Sequence, residues 1–154
     1  MYTQELTEFF GQRIPAGWFV QVPMVESDDE EILCIGELAP GVSSAEFRES
    51  TREERIAIAR DAESTFGRKV SWGVEVDGVT TIFTSLSLPV TTRLRLRERS
   101  VLDTLIEGGV ARSRSDALAW CVKLVGQHQQ EWLAELREAL ADVESVRAEG
   151  PRLI

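Results

Sequence analysis

The sequence predicts an α+β protein, with an N-terminal α-ββ-α-ββ module followed by a mostly helical C-terminal part. Two pairs of short apolar runs, each pair joined by a polar turn, lie within the first 90 residues. From Thr91 onward the apolar residues recur at helical spacing instead. The 154 residues suffice for one ordinary domain or two small ones, which excludes a large multi-domain enzyme.

The first predicted elements are a short helix and a hairpin. Leu6, Phe9 and Phe10 recur at helical spacing before Gly11, where the pattern stops. Residues 18–25 and 32–38 are apolar runs on either side of a polar link that includes Asp28–Glu31. Pro23 cannot donate a ladder hydrogen bond, so it predicts that the first of these strands lies at a sheet edge.

A helix and a second hairpin complete the N-terminal module. Thr51 and Glu54 have the spacing of a capping box, and Gly67 provides a stop at the far end of the apolar pattern. Residues 70–76 then alternate between apolar and polar or small, and Asp77-Gly78 is a two-residue turn signal. We expect the return strand over residues 82–90, with both hairpins in one sheet and a helix on one face.

The C-terminal part contains three helical patterns. Gly108-Gly109 separates the first from the second, which starts at a cap formed by Ser113 and Asp116. The third has an amphipathic stripe, whose apolar members are Trp132, Leu133, Leu136, Leu140 and Val143. We expect three regions: residues 1–90, 91–126 and 127–154.

Charge is distributed unevenly around a net value of −9. Residues 1–90 have 7 basic and 16 acidic side chains, whereas residues 91–125 have 7 basic and 4 acidic ones. A local positive face can bind phosphate if the acidic parts point away, because salt screens charges beyond about 8 Å. A nucleic-acid partner is therefore compatible with an acidic protein.

Several classes of function find no support in the sequence. No phosphate-binding, nucleophile-elbow or dinucleotide motif is present, so we expect neither an enzyme nor a cofactor. The single histidine, His128, and the separated Cys34 and Cys121 do not have the spacing of a metal site. We interpret Asp28–Glu31 as a solvated hairpin tip. The sequence has neither an 18-residue apolar run nor a signal-peptide pattern, so we expect a cytoplasmic protein with no membrane partner.

An arginine-rich segment carries the functional prediction. In an extended chain over residues 92–97, Arg93, Arg95 and Arg97 point to one side, while Leu94 and Leu96 point to the other. Two such strands from two chains would form an antiparallel ribbon narrow enough for the major groove of double-stranded DNA. There, arginine can donate bidentate hydrogen bonds to guanine.

The order of parts over residues 92–125 resembles the ribbon-helix-helix family of DNA-binding proteins. The most specific stretch is VLDTLIEGGVARSRSDALAWCVKLV, with its glycine turn and Ser-x-Ser-Asp-Ala helix start. The resemblance implies an obligate homodimer with intertwined strands that acts as a transcriptional regulator, and we expect a repressor. It also implies a phosphate contact at the N-terminus of the second helix, where Ser113, Arg114 and Ser115 match. Arg112 lies beside them and is expected to position a phosphate as well.

Two alternatives stay open at this point. Residues 91–107 could form one helix, with the strand pushed back to residues 82–90. The arginines could also form a solvated face paired with Glu98, Asp103 and Glu107.

The last 30 residues suggest a different function. They resemble the tail of ParD-type antitoxins, in which an amphipathic segment wraps a toxin. The apolar stripe from Trp132 to Val143 would then bind a partner protein, and DNA binding would be secondary. In that family the ribbon usually comes first, whereas here about 90 residues precede it.

Overall fold

The computed structural model describes residues 2–151, with side chains from Gln4 onward. The chain divides into two compact units, one ending at Pro89 and one starting at Val90. Within the described range there are six helices and one four-stranded sheet, and the predicted α+β class is confirmed.

The N-terminal unit contains three helices and the whole sheet. Its elements in chain order are α1 (Tyr2–Arg13), β1 (Met24–Ser27), β2 (Glu31–Glu37), α2 (Ser44–Ser50), α3 (Arg52–Phe66), β3 (Lys69–Val76) and β4 (Val79–Ile82). The strands follow the spatial order β1-β2-β3-β4. Each hairpin is antiparallel, and the two hairpins join through a parallel pairing of β2 with β3, across the α2–α3 connection. The expectation that both hairpins share one sheet is confirmed.

One face of the sheet packs on α1 and α3. Cys34 of β2 and Trp72 of β3 are paired neighbours that alternation places on the same face, and both belong to the core cluster. Leu6 and Phe10 of α1 and Ala62 of α3 belong to the same cluster and are completely buried. Burial raises the pKa of the Cys34 thiol to about 12, so this cysteine behaves as a small apolar core residue.

Both hairpins differ in extent from the sequence-based prediction. β1 starts only after Pro23 and covers Met24–Ser27, at the predicted edge of the sheet, instead of residues 18–25. Residues 18–23 form no strand, although the Val20 N–H donates to the Glu37 carbonyl at 2.9 Å, and the rings of Trp18 and Phe19 pack against Phe47. The predicted return strand over residues 82–90 is wrong, since β4 ends at Ile82.

The turn at Asp77-Gly78 explains where the return strand begins. Both residues have positive φ, 50° and 78°, which is the geometry of a tight hairpin turn. Pairing starts immediately after it, with Val76 opposite Val79. The Phe83 side chain packs in the core, and its backbone N–H still donates to the Trp72 carbonyl of β3 at 2.8 Å. Beyond Phe83 the chain leaves the ladder, and the backbone N–H of Leu86 donates to the Glu31 carboxylate at 3.0 Å.

The predicted middle helix is α3, which begins directly after Thr51, and α2 precedes it as a helix that was not predicted. The capping box predicted at Thr51 and Glu54 is wrong, because the Thr51 side chain makes no cap hydrogen bond. α2 carries a Ser43 cap, and Thr51 is at once the end of α2 and the residue before α3. The buried Thr51 hydroxyl donates to the Phe47 carbonyl at 2.6 Å. Gly67 ends α3 in the left-handed conformation, as its position predicts.

The C-terminal unit is helical, with α4 (Leu96–Glu107), α5 (Arg114–His128) and α6 (Gln130–Glu149). α5 runs through Gly126, which does not interrupt it. The buried core of the C-terminal unit consists of Leu102, Ala111 and Ala117. The residues packed against this core are Leu94, Leu105, Ile106, Leu118 and Cys121. No residue of α6 is buried. None of the described helices is long and apolar enough to cross a lipid bilayer.

Candidate nucleic-acid interface

The arginine-rich segment forms no strand in the single chain. Residues 92–95 have no regular secondary structure, although Arg95 is extended, with φ −83° and ψ 175°. The expected strand over residues 92–97 is therefore wrong as an element of one chain, and Arg97 lies in the first turn of α4. The alternative helix over residues 91–107 is also wrong, because α4 begins at Leu96. A lone strand leaves its backbone groups without partners, and this segment has no neighbouring strand.

Packing still separates the two faces of this segment. Leu94 is half-buried and contacts the core of the C-terminal unit. The Arg99 guanidinium donates to the Leu94 carbonyl, which ties the segment to the first turns of α4. Arg93, Arg95 and Arg97 are exposed. In the described part of the chain, no carboxylate lies within salt-bridge distance of these three arginines. The alternative in which Glu98, Asp103 and Glu107 pair with them is not observed.

A tight glycine turn joins α4 to α5. Gly109 has φ +75°, and the Val110 N–H donates to the Leu105 carbonyl at 2.9 Å. Only glycine adopts this φ without steric cost, which allows the chain to reverse within a few residues. Ala111 is buried directly after the turn. The turn therefore fixes where α5 starts.

The start of α5 has the predicted cap. The Ser113 hydroxyl accepts from the Asp116 N–H at 3.2 Å, and the Asp116 carboxylate accepts from the Arg112 N–H at 2.9 Å. The backbone N–H groups of Arg114 and Ser115 come ahead of the capped one, and no residue in the 2–151 range accepts from them. Ser113 and Ser115 are both exposed. Free N–H groups at a helix N-terminus attract anions.

The two other basic candidates are engaged with acids. Arg114 makes a bidentate pair with Asp103, with both N–O distances at 2.9 Å. The Arg112 side chain is almost fully exposed, and its Nε lies 3.8 Å from the Asp116 carboxylate. Asp103 was an expected partner of Arg93, Arg95 and Arg97, but in the structure it pairs with Arg114. Because eleven positions separate Asp103 from Arg114, no helical spacing signals this pair.

The Asp103–Arg114 pair predicts a pH effect on stability. The hydrogen bonds from Arg114 hold the pKa of the Asp103 carboxyl below its ordinary value of 3.8. A lowered folded-state pKa gives stability that is present above the unfolded-state pKa and lost as the pH falls through the folded-state value. D103N should therefore unfold at a lower temperature than the wild type at pH 7.

The difference between D103N and the wild type should shrink below about pH 4, the ordinary range of an aspartate pKa. Thermal unfolding followed by circular dichroism between pH 3 and 7 measures it, with D142N on exposed α6 as the control. A difference that is the same at every pH would contradict the ion-pair explanation.

The predicted partner-binding stripe lies on α6. Trp132, Leu136, Leu140 and Val143 are each about half exposed, and Leu133 is partly buried. These residues lie on one helix, α6, and no residue of the described chain buries them.

Comparison with known proteins gives a family for each unit. A model described as the Rv1265-like protein, N-terminal domain, matches residues 4–82, and the Mb1296 C-terminal domain model matches residues 95–147. The uncharacterized proteins Mb1296 of Mycobacterium bovis and Rv1265 of Mycobacterium tuberculosis are each 53% identical over 159 residues. The match covers 95% of this chain and 70% of each relative. No solved structure matches the chain significantly.

Proposed function

Because this chain belongs to the Rv1265-like protein family, whose curated relatives are uncharacterized, we propose a function from its own residues: a homodimeric, sequence-specific DNA-binding repressor. The observation that carries the proposal is the set of three unpaired arginines, Arg93, Arg95 and Arg97, directly ahead of two helices joined by a glycine turn. Although the chain is acidic overall, no carboxylate of the described residues pairs with these three arginines, so their positive charges remain available. That arrangement favours an external anion.

A second copy of the chain would complete the reading surface. The segment over residues 92–95 has backbone groups that could pair with the same segment of another chain, which would convert two irregular segments into an antiparallel ribbon. The ribbon would place Arg95 against base edges in the major groove, with Arg93 and Arg97 beside it. The repressor would act by occupying an operator and excluding polymerase.

The exposed apolar surface of the C-terminal unit supports dimerisation. Its core buries only Leu102, Ala111 and Ala117 among the described residues, while Val122 is 66% and Val125 50% exposed on α5. Covering these side chains would contribute about 25 cal/mol for each Å² of apolar surface removed from water. Dimerisation would bury these side chains and so stabilise a unit whose own core is small.

The start of α5 would position the phosphate backbone. Ser113 caps the helix, and the N–H groups of Arg114 and Ser115 would face a phosphate together with the helix dipole. The Arg112 side chain could reorient to contact the same phosphate, because it is exposed and its Nε lies 3.8 Å from the Asp116 carboxylate. Arg114 instead supports the site indirectly, by holding α5 against α4 through Asp103.

Selection of bound fragments from genomic DNA tests the proposal. We expect the full chain to enrich one class of sites with two-fold symmetry and to bind them more tightly than unrelated duplexes. Size-exclusion chromatography with light scattering should report a dimer in the same buffer. A monomer that enriches no sequence would reject the proposed function.

The bare surface of α6 favours a second candidate, an antitoxin-like or other protein-interaction role. The twenty residues of this helix contain no buried side chain, and Val146 is 70% exposed. Truncation after Gly126 should then abolish a partner complex while the dimer remains. Co-purification from the native source measures this, and the L136A/V143A variant of the full chain, which shortens two side chains of the stripe, should lose the same partner. A partner that is retained by the truncated chain would remove this candidate.

A further inference from the structure

A solvent-open cleft of about 580 Å³ lies in the N-terminal unit, beside α2, α3 and the end of β4. Its volume falls within the roughly 300–1,000 Å³ of small-molecule sites. Arg48, Arg52 and Arg55 line it together with the ring of Phe83, and Glu49 supplies a carboxylate. The cleft therefore concentrates positive charge.

This concentration is unusual for the unit in which it lies. Residues 1–90 contain 7 basic against 16 acidic side chains, and three of those seven line this one cleft. For the described residues, none of the three arginines has a carboxylate within salt-bridge distance. The four other basic residues of the unit are Arg13, Arg60, Arg68 and Lys69, and three of these form ion pairs.

Arg55 is held in place by neutral groups. It is only 6% exposed, and its Nε donates to the Thr51 hydroxyl at 3.0 Å. Its Nη2 donates to the Arg48 carbonyl at 2.6 Å, and its guanidinium carbon lies 5.0 Å from the centre of the Phe83 ring. These contacts fix the orientation of the guanidinium without neutralising it. Burial, together with the nearby charges of Arg48 and Arg52, lowers the pKa of Arg55.

The neighbouring Arg48 adds a second cation to the same ring, with its guanidinium carbon 5.7 Å from the Phe83 centre. Like charges brought together repel, and a buried charge without a counter-ion is costly. An anion in the cleft would offset both effects. Three arginines and one glutamate give the lining a net charge of +2.

We propose that this cleft binds the phosphate group of a small phosphorylated molecule. A phosphate monoester has a charge of about −1.5 to −2 at pH 7, which matches the charge of the lining. Planar guanidinium groups donate paired hydrogen bonds to its oxygens. The hydroxyls of Ser44, Thr81 and Thr84 also line the cleft and offer neutral donors. The guanidinium groups of Arg48 and Arg55 already lie over the Phe83 ring, so we expect the cleft to recognise the phosphate rather than to stack a ligand ring on Phe83.

The site goes beyond the proposed DNA-binding function, since it would give the N-terminal unit a small-molecule ligand. It is tested on the full chain by calorimetric titration with inorganic phosphate and with pyrophosphate, at constant ionic strength. We expect saturable binding of at least one of them, with sodium sulfate and sodium chloride as controls for a general salt effect.

The variant R48Q/R52Q tests the location. Both side chains are exposed, so the substitutions leave the core intact, which circular dichroism checks. The loss of a hydrogen bond to a charged group corresponds to about a tenfold change in a dissociation constant. Each lost arginine should therefore weaken phosphate binding about tenfold, and the loss of both about a hundredfold. R60Q/R137Q removes the same charge from exposed positions outside the cleft and should bind as the wild type does.

Three results would overturn the inference: no saturable binding of phosphate or pyrophosphate, equal binding by sulfate, or equal losses in R48Q/R52Q and R60Q/R137Q. Duplex DNA binding is measured in parallel. Loss of DNA affinity in R48Q/R52Q without phosphate binding would assign the cleft to the DNA backbone and reject the small-molecule site. Absence of DNA binding with intact phosphate binding would reject the proposed function alone.

Discussion

Replacing Arg93, Arg95 and Arg97 together by glutamine should lower the affinity for the selected DNA sites by a hundredfold or more. A bidentate arginine–guanine contact contributes about 1–3 kcal/mol of base discrimination, and each phosphate contact adds about 0.9 to the slope of log K against log salt. The three side chains are exposed and have no acidic partner in the described chain, so their loss should leave the fold intact. Fluorescence anisotropy over a range of salt concentrations measures both quantities.

The matched control for this variant is R60Q/R137Q/R147Q. It removes the same three charges from exposed positions on α3 and α6, which belong to neither the arginine-rich segment nor α5. We expect it to keep most of the affinity and the choice of sequence, because long-range attraction is screened at physiological salt. If both triple variants lose affinity equally, net charge governs binding, and the ribbon assignment is wrong.

Replacing Phe10 by alanine should reduce the free energy of unfolding of the N-terminal unit by about 3–5 kcal/mol. Phe10 is completely buried and makes edge-to-face contacts with Phe9 and Trp72, with ring centres 5.5 and 5.7 Å apart. Truncation removes the apolar burial and these aromatic contacts and leaves a cavity between α1 and the sheet. Such a loss is a large share of the roughly 5–15 kcal/mol that stabilises an ordinary domain.

Urea unfolding followed by far-ultraviolet circular dichroism measures the effect of F10A. F9A is the matched control, since Phe9 is adjacent and only partly buried, although it contacts Phe10 and Phe66. Its loss should be clearly smaller. Equal losses for the two variants would contradict the central place that the structure gives Phe10.

The binding surfaces proposed for the two units have different origins in the sequence. The arginines of residues 93–97 stand out because they alternate with leucines in a local pattern. The cleft arginines belong to two different helices, α2 and α3, and Phe83 comes from the residue directly after β4. One signal for the cleft was present: Arg48, Arg52 and Arg55 follow at intervals of four and three, which is the spacing of one helical face. The cleft was not predicted.

Local signals determined much of the fold. The Asp77-Gly78 turn, the Gly67 stop and the Ser113 cap each depend on a few neighbouring residues, and the structure places all three as predicted. Their conformational preferences act within one turn of chain, so the sequence alone is sufficient. The α+β class follows from the same local periodicities.

Tertiary structure decided everything that depends on a distant partner. The parallel pairing of β2 with β3 rests on hydrogen bonds between segments about 38 positions apart. Beyond the end of β4, the Leu86 N–H donates to the carboxylate of Glu31, 55 positions earlier in the chain. The Asp103–Arg114 pair likewise joins two helices that no local spacing connects. In the cleft, only the tertiary structure brings Phe83 to Arg48 and Arg55. The segment at residues 92–95 is irregular for the same physical reason, because a strand exists only where another backbone satisfies its hydrogen bonds.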